Sequence, residues 1–244
     1  MTEKAIICWS GGKDSACALY EVRLGGQYEV VSLLTTVTRD YERVSMHGVR
    51  TALIEEQARV LGLPLEKVFI TAGASDAEYE TQMRDKLEAF KDRGVSSVIF
   101  GDIFLEDLRK YREDKLAQVG MHGVFPLWQR DTSELAREFI ELGFKAVTTC
   151  VDSRILNEGF AGRLIDESFL ASLPSGVDPC GENGEFHSFV YDGPVFDAPL
   201  KFEIGEKVLR ESFYFCDLVP VSDVPLPPEP QRHLWSAEID TVCI

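Results

Sequence analysis

The first half of the chain alternates short apolar stretches with longer helical patterns. The apolar stretches are rich in Val, Ile, Leu or Phe and predict β-strands near residues 5–9, 29–35, 67–71, 96–101 and 122–127. The helical patterns lie near residues 14–24, 48–62, 76–93, 103–119 and 132–142. This alternation predicts an α/β fold in which helices flank a five-stranded parallel sheet on both faces. Ligands of such folds bind beyond the carboxyl ends of the strands.

Past residue 130 the pattern changes to shorter and less regular stretches. It predicts a strand near 144–151, a short helix near 161–170, and further short strands near 186–191, 200–204 and 210–217. Four prolines after Val221 predict an extended C-terminal arm with little secondary structure. We therefore expect three parts: an N-terminal domain over residues 1–130, a smaller mixed α+β domain over 131–220, and the arm over 221–244.

Composition is typical of a globular protein, with 45% hydrophobic residues in a chain of 244. There is no run of about 18 apolar residues and no signal-peptide pattern, so we expect no membrane association. The six cysteines are scattered and form no Cys-x-x-Cys pair. This usage predicts reduced, buried thiols rather than disulfides or a zinc site, and a cytoplasmic location.

The charge balance argues against a nucleic-acid partner. The formal net charge is −16, from 41 acidic and 25 basic residues. Proteins that bind tRNA normally present a basic surface, whereas the densest basic cluster here, residues 109–112, has acidic residues on both sides. We therefore expect no nucleic acid to bind.

The most informative segment is the sequence Ser-Gly-Gly-Lys-Asp-Ser at residues 10–15, here called the glycine loop. It follows a predicted buried strand and opens a predicted helix. Glycines let backbone N–H groups turn toward a ligand, and the helix dipole adds partial positive charge, so this arrangement favours a phosphate. The spacing fits neither the Walker-type loop nor the glycine fingerprint of dinucleotide folds.

Each residue of the glycine loop has a chemical role to offer. Gly11 and Gly12 permit close approach of the backbone to phosphate, and Lys13 can place an ammonium on a β- or γ-phosphate oxygen. Ser10 and Ser15 can donate hydroxyl hydrogen bonds. Asp14 either caps the first helical turn or helps to hold Mg²⁺, and the sequence favours neither role.

Two further segments follow predicted strands on the ligand side of the sheet. Gly101 and Asp102 come after the fourth strand, and we treat both as candidate ATP-binding residues. The carboxylate of Asp102 either caps the next helix or serves the nucleotide site, where it could also hold Mg²⁺, and one residue can do both. His47 and Gly48 come between the second strand and the second helix. His47 is either exposed at a helix start or in contact with substrate, and we treat both residues as candidate substrate-binding residues.

Residues 181–188, here called the acidic turn, have the sequence Gly-Glu-Asn-Gly-Glu-Phe-His-Ser. Glu182 and Glu185 between glycines, with Asn183 and His187 beside them, suit Mg²⁺ binding, substrate recognition or acid–base catalysis. The alternative is an acidic surface turn that leads into the strand at 186–191. Cys180 precedes the turn, but the spacing fits no standard zinc site. We treat Glu182 and Glu185, together with Lys13 and Asp14 of the glycine loop, as candidate catalytic residues.

The glycine loop resembles the PP-loop of the N-type ATP pyrophosphatases, which cleave ATP between the α- and β-phosphates. Together with Met46-His47-Gly48, Gly101-Asp102-Ile103 and the acidic turn, it resembles the diphthamide synthetase-like branch of that superfamily. The resemblance covers nearly everything up to about residue 220. It implies a HUP-type (Rossmann-like) domain for ATP and Mg²⁺ and a smaller domain that closes over the nucleotide. A homodimer is one oligomeric state that we consider, and the sequence does not decide it.

The reaction implied by the resemblance is diphthine–ammonia ligation, in which ATP adenylates a carboxylate on a modified histidine of an elongation factor and ammonia replaces AMP. Ligases of this branch often carry Tyr-Glu-Thr or Tyr-Glu-Ser where this chain has Phe186-His187-Ser188. We therefore expect the acceptor to be this protein-borne carboxylate, another small carboxylate or an amide.

Two other functions use the same fold class. A sulfur-transfer or tRNA-modifying enzyme would need a nucleophilic thiol, for which Cys150 and Cys180 are the candidates, and a basic groove, which the charge of −16 disfavours. A nucleotide-binding sensor without catalysis would not need a glycine loop of this kind.

Overall fold

Two β-sheets with helices packed around them organise the chain in a computed structural model, which describes residues 2–45, 47–71 and 76–221. The strands are β1 (Glu3–Cys8), β2 (Tyr28–Thr38), β3 (Arg43–Val44), β4 (Leu65–Ile70), β5 (Ser97–Ile99), β6 (His122–Val124), β7 (Lys145–Asp152), β8 (Phe186–Asp192), β9 (Phe202–Arg210) and β10 (Phe213–Pro220). The helices are α1 (Lys13–Gly25), α2 (Thr51–Leu61), α3 (Asp76–Asp92), α4 (Glu106–Val119), α5 (Thr132–Glu141) and α6 (Glu167–Ser172), with a 3-10 turn at Glu158–Phe160.

The first sheet contains the five predicted strands in parallel, in the order β4-β2-β1-β5-β6. The predicted α/β class is therefore confirmed. The chain runs outward from β1 in one direction through β2 and β4, then returns to the other side of β1 with β5. The carboxyl ends of β1 and β5 thus flank the point where the strand order reverses, which is where ligands bind in open sheets of this kind.

The two-residue strand β3 was not predicted, and it extends the first sheet near the end of β1. It pairs antiparallel with β2, whose Val37 lies opposite both Val44 of β3 and Phe69 of β4. Because β4 occupies one side of β2, β3 must lie on the side of β1, just beyond the last residue of that strand. This places the loop after β3 next to the glycine loop.

The second sheet is antiparallel, in the order β8-β7-β10-β9, and confirms a separate C-terminal sheet. The predicted helix at 161–170 is wrong in its first half. The backbone of residues 163–165 instead pairs with β7, where Thr148 N donates to Arg163 O and Ile165 N donates to Ala146 O, both at 2.9 Å. Helix α6 begins only after Asp166, whose side chain accepts a hydrogen bond from Phe169 N.

Two helices of the first half begin later than predicted, at Thr51 rather than 48 and at Glu106 rather than 103. At 103 the backbone N–H groups of Ile103 and Phe104 donate to Glu182 from a distant part of the chain. At 48 the cause is local, because Gly48 has a positive φ and its N–H donates to Val44 O. Strand β9 is longer than the predicted strand at 200–204, and β10 begins three residues later than the predicted strand at 210–217. The two strands form one hairpin whose turn contains Glu211 with a positive φ of 49°. The predicted C-terminal arm lies outside the described residues beyond Val221.

One hydrophobic core runs through both halves of the chain. It includes Ile7 and Leu19 of the first half together with Phe144 and Phe189 of the second, all at most 3% exposed. A second cluster, which includes Ile6, lies on the opposite face of the first sheet. Because the larger core is shared, the division at residue 130 stays a proposal about sequence units rather than about separate cores.

A buried glutamine joins the glycine loop to the second sheet. Gln57 of α2 is fully buried, and its Oε1 accepts a hydrogen bond from Trp9 Nε1 at 2.8 Å. Its Nε2 donates to Gly11 O at 3.0 Å and to Val190 O of β8 at 2.6 Å. Val190 N also donates to Gly11 O at 2.9 Å. The loop and β8 are therefore held at a fixed separation by an amide whose hydrogen-bonding groups are paired.

Among the helices of the described residues, none has the length and apolar character needed to cross a membrane.

We predict that Gln57→Leu lowers the free energy of unfolding by roughly 2–4 kcal/mol. The substitution keeps the approximate volume but leaves the Trp9 N–H without its partner and removes a donor from two buried carbonyls. Urea denaturation measures the change. Gln118→Leu, at an exposed position of α4, is the matched control and should shift stability by at most about 0.5 kcal/mol. Equal stability of Gln57→Leu and the wild type would show that this cross-link is unimportant.

Candidate active site

A cleft of about 550 Å³ opens at the carboxyl ends of β1 and β5. Its lining comes from the glycine loop, the end of β2, the loop after β3, the loop after β5, the end of β7 and the acidic turn. Both sheets therefore contribute to one cavity. Its volume lies within the range of small-molecule and cofactor sites.

The glycine loop forms the N-terminus of α1, and a residue of the second sheet completes it. Gly12 is the N-cap and has no side chain to cap the helix. Ser188 Oγ of β8 instead accepts a hydrogen bond from Lys13 N at 3.1 Å. Gly11 has a φ of +80°, and a Cβ there would lie 2.5 Å from Ile54 Cδ1 and 2.7 Å from Gln57 Oε1. Only glycine fits that position, for packing as well as for backbone conformation.

The serines of the loop hydrogen bond within it. Ser10 Oγ accepts from Gly12 N at 3.2 Å, and Ser15 Oγ donates to Gly12 O at 2.9 Å. The two hydroxyl oxygens are 3.3 Å apart. Both residues line the cleft, so their hydroxyls lie where a phosphate on the N-terminus of α1 would be.

Lys13 and Asp14 form an ion pair beside the loop. Lys13 Nζ lies 2.6 Å and 2.7 Å from the two carboxylate oxygens of Asp14. Burial alone would lower the pKa of the Lys13 amine. The charge and hydrogen bond of Asp14, together with the nearby Cys180 and Glu182, outweigh burial and raise that pKa, so the ammonium is retained. Burial raises the pKa of Asp14, and Lys13 opposes this shift. A phosphate would therefore share the ammonium with Asp14.

Asp102 lies on the same side of the cleft and is paired with Arg112 of α4. Arg112 Nε is 2.8 Å from Asp102 Oδ2, and Arg112 Nη2 donates to Asp102 Oδ1 at 3.1 Å. Burial raises the pKa of Asp102, and Arg112 opposes this shift. The alternative role as a helix cap is wrong, because α4 begins at Glu106 and its N-cap is Leu105.

Gly101 has a packing role that the sequence did not indicate. A Cβ at Gly101 would lie 2.7 Å from the backbone carbon of Asp14 and 3.0 Å from Ser15 N. The loop after β5 therefore passes directly against the first turn of α1, and this close contact requires glycine. The contact brings Asp102 next to the glycine loop.

The acidic turn faces the cleft through Glu182, Asn183, Gly184 and His187. Glu182 Oε1 accepts hydrogen bonds from Ile103 N at 2.7 Å and Phe104 N at 3.4 Å. These bonds occupy the backbone that was predicted to start α4, which explains the later start. Burial, followed by the charge of Asp14, raises the pKa of Glu182 to about 7.

Glu185 lies within its own turn instead of on the cleft lining. It is 3% exposed, and its Oε1 accepts from Asp178 N at 3.1 Å and from Asn183 Nδ2 at 3.0 Å. Its Oε2 accepts from Asn183 N at 3.0 Å. These contacts give Glu185 the position of a group that shapes the turn, and a catalytic role for it stays a prediction.

His47 and His187 are brought together, although 140 residues separate them in the sequence. Their ring centroids are 4.6 Å apart. Burial lowers the pKa of His47 to about 4, and burial, the neighbouring His47 and Lys13 lower that of His187 well below its ordinary value. Both rings are therefore neutral near pH 7.

Gly48 lies in a turn, with φ of +66° and its N–H donating to Val44 O. This turn is the reason why α2 begins only at Thr51.

The sequence analysis did not propose roles for Thr35, Asp152, Arg154 and Ser188, which are among the residues that line the cleft. Thr35 Oγ1 and His47 Nδ1 are buried atoms with no hydrogen-bond partner among the described residues, and both side chains line the cleft. Buried polar atoms are nearly always paired, so these two are available to a ligand. Asp152 and Arg154, an ion pair at 2.5 Å, and Ser188 also line it. The one usable signal was that polar residues end the apolar strands β2 and β7.

The thiols that a sulfur-transfer enzyme would need are buried. Cys150 and Cys180 are 1% and 2% exposed. Burial raises the pKa of Cys180 to about 12 and also raises that of Cys150. Nucleophilic thiols need a lowered pKa and solvent access, so neither cysteine fits that role.

The acidic side chains do not form a metal cage of their own. Within the described part of the chain, no group of three or more His, Cys, Asp and Glu residues is placed to hold a metal ion. Asp14 and Asp102, the candidate Mg²⁺ ligands, are each paired with a cation. Such a site fits Mg²⁺ only as an ion held jointly by one or two carboxylates and phosphate oxygens, which is its usual mode with nucleotides.

Comparisons with known proteins agree with these features. The family model for the diphthamide synthase N-terminal domain matches residues 3–123, and that for the diphthamide synthase C-terminal domain matches residues 131–224. A diphthine–ammonia ligase from Danio rerio is 26% identical over 228 residues, which cover 85% of this chain and 89% of that protein. The one from Homo sapiens is 24% identical over 234 residues, 85% of each chain. One from Schizosaccharomyces pombe is 26% identical, but only 38% of its length is covered.

We predict that Glu182 makes the stability of the protein depend on pH. Its pKa of about 7 in the folded protein is above the ordinary 4.5, so the folded state binds the proton more tightly than the unfolded state. Its stabilising contribution is complete below about pH 4.5 and is lost as the pH rises through about 7. Relative to Glu182→Gln, the wild type should lose on the order of 2 kcal/mol between about pH 5 and pH 8.

Urea denaturation at several pH values measures this difference. Glu88→Gln, on the exposed side of α3, is the control and should follow the wild-type profile. Parallel profiles for the wild type and Glu182→Gln would contradict the prediction.

Proposed function

The chain belongs to the diphthamide synthase family, and from this we propose that it is an ATP-dependent ligase that joins ammonia to a substrate carboxylate. The observation that carries the proposal is the cleft, where the glycine loop of the first sheet faces the acidic turn of the second. One wall has the chemistry of a phosphate site. The other has ionisable groups placed for an acceptor and for proton transfer.

In this proposal ATP places its β- and γ-phosphates on residues 10–15. The N-terminus of α1 supplies N–H groups and a partial positive charge, and Lys13 supplies a full one. Mg²⁺ would be held by Asp14 and Asp102 together with the phosphates, and it would neutralise charge on the leaving pyrophosphate. The unpartnered Thr35 hydroxyl and His47 Nδ1 are further groups that can hydrogen bond to the bound nucleotide or acceptor.

The reaction then has two balanced halves. A carboxylate oxygen of the acceptor attacks the α-phosphorus, so that the bond to the β-phosphate breaks and pyrophosphate leaves. Ammonia next attacks the acyl carbon of the adenylate, the bond to AMP breaks, and the nitrogen loses a proton. Glu182 is the best base for that proton, because its pKa of about 7 lies near the working pH. The main contribution of the cleft is positioning and charge stabilisation.

We propose His47, Gly48, Asn183 and His187 for the acceptor side. His47, Asn183 and His187 line the cleft, whereas Gly48 follows His47 in the chain and is not among the lining residues. Neutral imidazoles bind an acceptor without adding charge next to Lys13. The related ligases are named for diphthine, and a protein-borne carboxylate, on an elongation factor for example, is one acceptor that this cleft would serve. A small free carboxylate is the other. Ammonia would come from solution or from a partner protein.

Four further expectations stay proposals. These are the division into residues 1–130 and 131–220, the extended arm, a homodimer, and a cytoplasmic location. The sulfur-transfer alternative is disfavoured by the buried thiols, and no observation favours a sensor without catalysis.

We predict that Lys13→Ala abolishes pyrophosphate formation. It removes the ammonium that would meet the departing phosphates, and the rate should fall by at least about 100-fold. Pyrophosphate release from Mg²⁺–ATP with candidate carboxylates measures the rate, and thermal denaturation verifies the fold. The control is Lys86→Ala on α3, which removes the ion-pair partner of Glu66 of β4. It should keep the wild-type rate. Release by Lys13→Ala at that rate would show that the loop is not the phosphate site.

We also predict that ATP is cleaved at the α–β bond. Chromatography of the products from ATP labelled at the α-phosphate should show AMP in amounts equal to pyrophosphate. The Lys13→Ala protein, prepared in the same way, serves as the blank for contaminating ATPases. A product pool dominated by ADP and phosphate would overturn the adenylation mechanism.

A further inference from the structure

A single carboxylate of the second sheet fastens the loop that carries His47. Asp217 of β10 accepts hydrogen bonds from Arg43 Nη1 at 2.7 Å and from Arg50 Nε at 3.1 Å through its Oδ1. Its Oδ2 accepts from Arg50 Nη2 at 2.6 Å. The Arg50 contact is therefore bidentate, which is the strongest geometry for such a pair. Asp217 itself lies outside the cleft lining.

Arg43 and Arg50 stand at the two ends of the loop. They face each other across an antiparallel bridge, with His47 between them in the sequence. Arg43 Nη1 also donates to Gly48 O at 2.8 Å, so this guanidinium bridges Asp217 and the loop backbone. Within the loop, Val44 N donates to Val49 O at 2.9 Å. Asp217 thus holds both ends of a tight turn, and His47 of this turn lines the cleft.

The carboxylate of Asp217 offsets two positive charges that are largely buried at this place. The side chains of Arg43, Arg50 and Asp217 are only 13%, 20% and 20% exposed. Burial lowers the pKa of Arg210 of β9, and the nearby positive charge of Arg43 lowers it further. Without the carboxylate, neighbouring guanidiniums would repel each other across the bridge. Like charges placed directly opposite each other destabilise a strand pair.

The contacts of the His47 ring depend on the position of this loop. A Cβ on Gly12 would lie 3.3 Å from His47 Cε1, so the ring lies directly against the N-cap of α1. The ring also lies against His187, with 4.6 Å between the ring centroids. A small displacement of the loop would expose the ring and change the space above the glycine loop.

We propose that Asp217 is a positioning residue for the ligase reaction, holding His47 against the glycine loop and His187 through Arg43 and Arg50. The inference rests on the proposed function for its catalytic meaning. Its structural part, that Asp217 sets the environment of His47, can be tested without any substrate.

The experiment uses Asp217→Asn in the full chain. Imidazole nitrogens are observed by NMR between about pH 5 and pH 8, and the His47 signal is assigned with His47→Gln. In the wild type the ring, with a pKa of about 4, should stay neutral over this range. In Asp217→Asn the loosened ring gains water contact and should titrate within it. The titratable groups that face it, His187 and Lys13, are unchanged.

Calorimetry of Mg²⁺–ATP binding gives the functional readout, and we expect about tenfold weaker binding in Asp217→Asn, or about 1.4 kcal/mol. Asp217→Glu keeps the charge and should restore much of both properties. The control is Asp192→Asn, which removes another ion pair of the same sheet, with Lys145 at 2.8 Å. It should leave the His47 signal and the affinity unchanged.

Arg50→Gln breaks the ion pair with Asp217 from the other side. It tests the role of Asp217 if Asp217→Asn does not fold. Neutral, non-titrating His47 signals in the variants that fold would overturn the inference, as would the same His47 titration in Asp192→Asn. If the wild type binds no Mg²⁺–ATP, the proposed function fails, whereas the NMR result still decides the role of Asp217.

Discussion

The site depends on one constraint, which is that the glycine loop is hydrogen-bonded to the second sheet. The carbonyl of Gly11 accepts from Val190 N and from Gln57 Nε2, and Gln57 holds Val190 O and Trp9 as well. Each of these groups is buried, and a buried polar group left unpaired costs more than the bond itself contributes. The distance between the phosphate site and β8 is therefore fixed. His187 and Ser188 lie on that strand, so the acceptor side is fixed with it.

A second feature is that each cation described in the cleft is paired with a carboxylate. Lys13 is paired with Asp14, Arg112 with Asp102 and Arg154 with Asp152, and Glu182 adds a further acid. An anionic nucleotide would have to share these cations, which gives a divalent ion a clear electrostatic role. The burial that raises the pKa of Glu182 to about 7 also makes it suitable for proton transfer. The burial of charged groups thus affects both the binding of the nucleotide and the proton transfer in the proposed reaction.

The candidate site could be predicted in part, and the failures have physical causes. Glycine spacing after an apolar strand identified residues 10–15, and a carboxylate at a strand end identified Asp102. The two glutamates of the acidic turn could not be told apart, because both have the same local sequence setting. Only the fold shows that Glu182 reaches the backbone of Ile103 while Glu185 accepts bonds from its own turn. The helix start at 103 was wrong because tertiary hydrogen bonds to Glu182 compete with helical ones. The start at 48 was wrong because Gly48 adopts a positive φ in the preceding turn.

The sequence by itself determined what depends on residues close together in the chain. Periodicity and glycine stops specified five parallel strands, their helices, and a strand, loop and helix around residues 10–15. The tertiary structure alone decided which distant groups meet. Ser188 caps α1 from 175 residues away, Gln57 joins two sheets, and Asp217 holds the loop of His47. Local patterns arise from backbone geometry over a few residues, whereas these contacts arise from the packing of two sheets on a shared core, which no short segment encodes.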